Sequence, residues 1–86
     1  MASRQRGLKS VHSTDQLAFR ELMIAARKRA GLTQQELAKR LKRPQSFVAK
    51  YEGGERRLDV VEFITIARAI GADPLRVLKS LLNRAG

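Results

Sequence analysis

The chain has 86 residues, which is enough for one small domain with a modest hydrophobic core. It contains no cysteine and no apolar run of membrane-spanning length, which argues against disulfide bonds, thiolate metal sites and any association with a membrane. The net charge of +10, from 18 Lys and Arg against 8 Asp and Glu, indicates a polyanionic partner, most simply DNA or RNA. A basic surface that only keeps the protein soluble is the alternative.

Residues 1–12 form a polar and basic segment without an apolar period, which predicts a disordered basic arm. The segment has no apolar core of the kind that a secretory signal needs. Such an arm either follows a DNA groove or is a frayed terminus, and its composition does not separate these interpretations. The remaining residues, 13–86, are predicted to fold as one domain.

The first predicted helix begins near Thr14. Ser13 is followed three residues later by Gln16, which is the spacing of a capping box, and Gly31 is a suitable helix stop. Apolar side chains recur at helical spacing and are predicted to face the core. These side chains are Phe19, Met23, Ala26 and Ala30.

Two short helices are predicted next, over about residues 34–41 and 45–52. Thr33 and Glu36 have the spacing of a capping box at the start of the first, and Pro44 marks the start of the second. The second helix has an outward face of Gln, Ser, Ala and Lys, a combination that suits the reading of base edges. That face consists of Gln45, Ser46, Ala49 and Lys50.

Two further helices complete an all-α prediction. Asp59 and Glu62 form another capping-box pattern at the start of a helix that Gly71 ends, and Asp73 precedes a proline that opens the fifth helix. The fifth helix carries one apolar stripe of Leu75, Leu78 and Leu82 and another of Val77 and Leu81. One stripe can complete the core, and we expect the stripe of Val77 and Leu81 to form the interface of a homodimer.

The order and spacing of these motifs closely resemble the helix-turn-helix of the phage repressor/Cro-like (XRE) family of DNA-binding proteins. The resemblance covers roughly residues 17–82. It rests on GLTQ at 31–34, LA at 37–38, QS at 45–46, YEGG at 51–54, RLD at 57–59 and IARAIG at 66–71. The family favours a small residue in the turn between the two helices, where this chain has Lys42, Arg43 and Pro44.

The resemblance implies a compact five-helix, lambda-repressor-like fold in which the helix at 45–52 lies in the DNA major groove. It implies that Gln45, Ser46 and Lys50 reach bases and that Ala49 packs against a thymine methyl group. It implies an ion pair between Arg27 and Glu36 that ties the first helix to the helix-turn-helix. It also implies that Gln34 both bonds a phosphate and braces Gln45. The predicted phosphate contacts are Thr33, Gln34, Lys42, Arg43, Arg56 and Arg57.

These observations predict a cytoplasmic, nucleoid-associated transcriptional regulator of prokaryotic or phage origin. We expect it to bind double-stranded DNA as a homodimer at an inverted repeat and to act as a repressor. The alternative is an antitoxin or protein-interaction module that uses the same fold to bind a toxin or another regulator. An enzyme is poorly supported, because the chain has no cysteine and one histidine, and no cofactor or metal is expected.

Overall fold

The computed structural model describes residues 13–85, and the predicted arm at residues 1–12 lies outside them. Residues 13–85 form five α-helices, which confirms the predicted all-α, five-helix fold for this part of the chain. The helices are α1 (Thr14–Arg29), α2 (Gln34–Leu41), α3 (Gln45–Glu52), α4 (Val60–Ile70) and α5 (Pro74–Ala85).

Local side-chain contacts explain where the helices begin. Thr33 and Glu36 form the predicted capping box at α2, since the Thr33 amide donates to Glu36 Oε1 (2.9 Å) and the Glu36 amide donates to Thr33 Oγ1 (3.0 Å). Asp59 and Glu62 make the same pair of bonds at α4. At α1, the hydroxyl of the preceding Ser13 accepts from the third residue of the helix. These helix starts are therefore determined by residues close together in the sequence.

The turn between α2 and α3 contains a left-handed lysine. Lys42 has φ 57° and ψ 41°, and it is the one non-glycine residue with positive φ within residues 13–85. Its amide donates to the Lys39 carbonyl (3.1 Å), and the amide of Arg43 donates to the Ala38 carbonyl (3.0 Å), which closes the end of α2. Pro44 then precedes α3 in an extended conformation. A left-handed lysine thus lies in the turn where the sequence resemblance favours a small residue.

The core is formed by side chains from all five helices. Met23, Leu37, Val48, Tyr51 and Ile66 are almost completely buried at its centre. The aromatic rings of α1 and α4 add an edge-to-face contact, with ring centroids 5.4 Å apart. Ala30 was predicted to join the core, and this prediction was wrong. It is exposed because α1 ends at Arg29 and Ala30 is the capping residue that follows.

The apolar stripe of α5 that was predicted for a dimer interface packs on the core instead. Val77, predicted for the dimer interface, is buried in the core with 9% of its surface exposed, and Leu81 is half-buried. The reason is that α5 packs against α1 and α4 through the side that carries Val77. The stripe that remains exposed is Leu75, Leu78 and Leu82.

The packing order leaves the outer side of α3 open. α2 packs against α3 and α4, while α1 packs against α3 and α5. α3 therefore rests on α1 and α2, and the end of α5 is joined to α1 by an ion pair between Arg84 and Glu21. None of the helices within residues 13–85 has the length and apolar character needed to cross a membrane.

Candidate nucleic-acid interface

A buried ion pair anchors the end of α3 to α1. Arg27 donates through Nε to Glu52 Oε2 (2.8 Å) and through Nη2 to Glu52 Oε1 (3.0 Å), and each residue is only 8% exposed. The hydrogen bonds that Arg27 donates to Glu52 raise the pKa of the guanidinium above its ordinary value. The predicted pairing of Arg27 with Glu36 was wrong, because Glu36 is exposed and its carboxylate caps α2 instead.

Gln34 joins this ion pair from the start of α2. Its Nε2 donates to Glu52 Oε1 (2.9 Å), while Arg27 Nη1 donates to the Leu32 carbonyl (2.7 Å). Gln34 was predicted to brace Gln45, but its amide nitrogen is bonded to the other end of α3. One carboxylate thus connects α1, the start of α2 and the end of α3. This network determines how α3 sits on the domain.

Glu52 is a residue that the sequence interpretation missed as part of this anchor. It lies one helical turn after the apolar Val48, on the side of the helix opposite the predicted outward face. That spacing was the available signal, because a carboxylate on the buried face of a helix needs a charged or hydrogen-bonding partner. Arg27 supplies that partner from across the core.

The predicted base-reading residues share the open side of α3. Gln45, Ser46 and Lys50 are exposed and Ala49 is half-buried. Positions three and four residues apart are neighbours on a helix surface, which places Ala49 beside Gln45 and Ser46, and Lys50 beside Ser46. The opposite side is buried through Val48 and neighbouring aromatic residues. The structure thus brings these four side chains together on a face that is free to meet a flat or grooved partner.

Cations lie in the segments that precede and follow α3. Lys42 and Arg43 are exposed in the turn before α3, and Arg57 is exposed in the loop after it. Arg56 is half-buried, and its Nη1 and Nη2 donate to the two carboxylate oxygens of Glu62 at 3.0 and 2.7 Å. That bidentate contact lowers the pKa of Glu62 to about 2. Arg56 therefore already has a counter-charge, which the sequence did not reveal.

Phe47 belongs to the core, although it lies in the same helix as the predicted base-reading residues. It is 7% exposed, and its ring makes an edge-to-face contact with Tyr51 at 5.6 Å between centroids. Burial raises the pKa of the Tyr51 phenol. Its hydroxyl has no hydrogen-bond partner within the described part of the chain. The two rings form a rigid support beneath the outer face of α3.

The described part of the chain contains no cluster of side chains typical of a metal site. Within residues 13–85, no three His, Cys, Asp or Glu side chains lie close enough together to hold a metal ion.

The remaining predicted phosphate residue, Thr33, is exposed at the start of α2, where its hydroxyl is engaged in the capping box.

Comparison with known proteins agrees with this arrangement. A family model described as a helix-turn-helix domain matches residues 18–79. Among solved structures, the chain is similar to an XRE-family like protein from Pseudomonas syringae pv. tomato str. DC3000, with 49% identity and a TM-score of 0.81. That match covers 88% of this chain and 93% of the other. No curated protein sequence matches significantly. The predicted resemblance is thereby confirmed, and the chain belongs to the XRE-type helix-turn-helix family of DNA-binding regulators.

Proposed function

We propose that the protein is a sequence-specific transcriptional repressor that occupies an inverted-repeat operator as a dimer. The observation that supports this proposal is the polar, exposed face of α3. The other side of this helix is buried, and its last residue is held by the ion pair with Arg27. A rigid helix with amide, hydroxyl and ammonium groups on its open side can present them to the edges of base pairs. The protein acts by binding rather than by catalysis, and its site of action is the nucleoid in the cytoplasm.

The chemistry of the face defines which bases each side chain can recognise. The Gln45 amide can pair with the N6 and N7 edge of adenine, and the Lys50 ammonium can donate to O6 and N7 of guanine. The Ser46 hydroxyl can donate or accept, and the Ala49 methyl group can pack against a thymine methyl. These four residues therefore supply specificity.

The surrounding residues supply affinity without specificity. Cations at the two ends of α3 neutralise phosphates, and the free amide groups at the start of α2 favour an anion. Contacts of this kind position the helix in the groove and make binding salt-dependent. The proposed set is Thr33, Gln34, Lys42, Arg43, Arg56 and Arg57.

A second copy of the chain covers the exposed stripe of α5. Leu75, Leu78 and Leu82 are 74%, 40% and 72% exposed, which is an unusual density of large apolar side chains for one exposed helix. Leu17 of α1 is also exposed, and it lies one turn before Glu21, the partner of Arg84 in α5. A twofold pairing through this stripe presents two copies of α3 to half-sites about one DNA turn, or roughly 34 Å, apart.

Selection of bound fragments from random duplex DNA tests the proposal. We expect an enriched inverted repeat with half-sites centred about 10 base pairs apart. Recovery of random fragments only, with retention lost at moderate salt, would contradict sequence-specific binding.

The alternative is a protein-interaction module, such as an antitoxin. A groove between α1 and α5 favours this alternative. Its lining includes three cations, one carboxylate and two large apolar side chains: Arg29, Arg76 and Lys79, Asp73, and Leu22 and Val77. Retention on DNA only at very low salt, with no footprint on any selected fragment, would favour this function over the repressor.

A further inference from the structure

The ring of Phe47 lies against two guanidinium groups from different parts of the chain. The Cζ atom of Arg43, in the turn before α3, is 4.0 Å from the ring centroid. The Cζ atom of Arg56, in the loop after α3, is 4.9 Å from the same centroid. Both distances are within the range of cation–π contacts. One buried aromatic side chain thus contacts two of the cations near the proposed recognition face.

We infer that Phe47 is a positioning residue for the phosphate contacts and that Glu62 limits how much of their charge is available to DNA. This inference rests on the proposed function and adds the means by which two of its phosphate contacts are held and tuned.

The ring is suited to orienting a side chain because packing in the core holds it in place. Phe47 is 7% exposed and is supported at its edge by Tyr51. Arginine has many rotamers, and ordering them on binding a phosphate costs free energy. A guanidinium that is already stacked on a fixed ring loses less freedom when it binds, so Arg43 is preorganised for a phosphate.

Glu62 acts on the other member of the pair. Both of its carboxylate oxygens accept from Arg56, and Oε1 also accepts from the Asp59 amide at 3.0 Å. Because the pKa of Glu62 is about 2, the carboxylate is charged at neutral pH. Two guanidiniums and one carboxylate leave a single net positive charge at this cluster. A phosphate must compete with Glu62 for Arg56, whereas Arg43 is directly accessible.

Glu62→Gln tests the charge limit without disturbing the core. Glutamine at the third position of a helix also closes a capping box, so the start of α4 is retained. Glu36→Gln is the matched control, since Glu36 has the same capping role in α2 and the change removes the same charge without releasing an arginine from an ion pair. Binding to a random duplex is measured against salt concentration for wild type and both variants.

We expect the plot of log K against log salt concentration to have a steeper slope for Glu62→Gln than for Glu36→Gln. The difference should be ~0.9, which corresponds to one additional phosphate contact. Random-duplex affinity at about 0.1 M salt should then rise several-fold over that control. Equal slopes for the two variants would overturn the role of Glu62. If wild type shows no DNA binding at all, the proposed function fails and this inference fails with it.

Phe47→Leu tests the positioning role, with thermal unfolding to verify that the variant folds. We expect it to weaken binding to all sequences several-fold in the wild-type background and to have much less effect when Arg43→Ala is already present. Equal losses in both backgrounds would show that the ring acts only through packing and would overturn the positioning role. If Phe47→Leu does not fold, Phe47→Met replaces it, because methionine retains apolar bulk without an aromatic face. Its loss of binding is again compared with and without Arg43→Ala, and the two outcomes are interpreted in the same way.

Discussion

Glu52, the last residue of α3, accepts two hydrogen bonds from Arg27, and both residues are buried. The contact spans two helices that are not adjacent in the sequence. Because the carboxylate also accepts from Gln34, the orientation of α3 depends on a buried charge pair. The stability of the domain and the geometry of the proposed DNA-binding face are therefore linked.

Removing one charge from this pair should destabilise the fold strongly. We expect Glu52→Gln to lower the free energy of unfolding by ~3–5 kcal/mol, because Arg27 would remain buried without a counter-charge. Urea unfolding measures the loss. Glu36→Gln is the control and should have little effect, since Glu36 is exposed and glutamine preserves its cap. Similar losses for the two variants would contradict the assignment of the Arg27 partner.

The left-handed conformation of Lys42 leads to a second stability prediction. The left-handed conformation costs ~1–2 kcal/mol of free energy for a residue with a Cβ atom and almost none for glycine. We therefore expect Lys42→Gly to be about 1 kcal/mol more stable than Lys42→Ala, after glycine's larger unfolded-state entropy is included. Both variants lose the same charge, so their difference in thermal or urea unfolding reports the backbone alone. Equal stability, or a more stable alanine variant, would contradict the strain at this turn.

These results show which features a sequence can reveal. The capping boxes of Thr33 with Glu36 and Asp59 with Glu62 were predicted because both partners lie within one helical turn. The exposed face of α3 followed from helical spacing and family resemblance. In each case the structural consequence depends on residues that are close in sequence or on a pattern shared by the family.

The features that were predicted incorrectly depend on contacts between distant residues. The two stripes of α5 have similar apolar character, and only packing against α1 and α4 decides that Val77 is buried and Leu75 exposed. The family pattern suggested Glu36 as the partner of Arg27, but the carboxylate of Glu52 is the one that folding brings to it. The stacking of Arg43 and Arg56 on Phe47 joins two loops, and no spacing within one helix indicates it.

The ion pair between Arg56 and Glu62 predicts an acid-dependent loss of stability. The pKa of Glu62 falls from an ordinary value of 4.5 to about 2 in the folded protein. A depressed carboxyl pKa means that the folded state binds the proton less readily than the unfolded state. Its stabilising contribution is therefore complete above about pH 5 and is lost as the pH falls towards 2. We expect the melting temperature of wild type to fall more over this range than that of Glu62→Gln. An equal fall in melting temperature for the two proteins would contradict the coupling between this ion pair and stability.

The exposed stripe of α5 predicts a mutation that separates association from folding. We expect Leu78→Glu to give a monomer in sedimentation equilibrium at concentrations where wild type is a dimer, with little change in melting temperature. Val77→Ala is the control because Val77 is buried, and it should cost ~1–3 kcal/mol of stability by leaving a cavity. A wild type that stays monomeric at all concentrations, or a Leu78→Glu dimer, would show that the stripe is not the interface.

The central claim is that the open face of α3 reads base sequence, and Gln45 tests it most directly. The measurement is the affinity of wild type, Gln45→Ala and Gln35→Ala for a selected operator and for a random duplex at one salt concentration. Both glutamines are exposed, but Gln35 lies on α2 and serves as the control. We predict that Gln45→Ala loses ~1–3 kcal/mol on the operator and almost nothing on the random duplex, while Gln35→Ala has the same small effect on both. An equal loss on operator and random DNA for Gln45→Ala would contradict the claim.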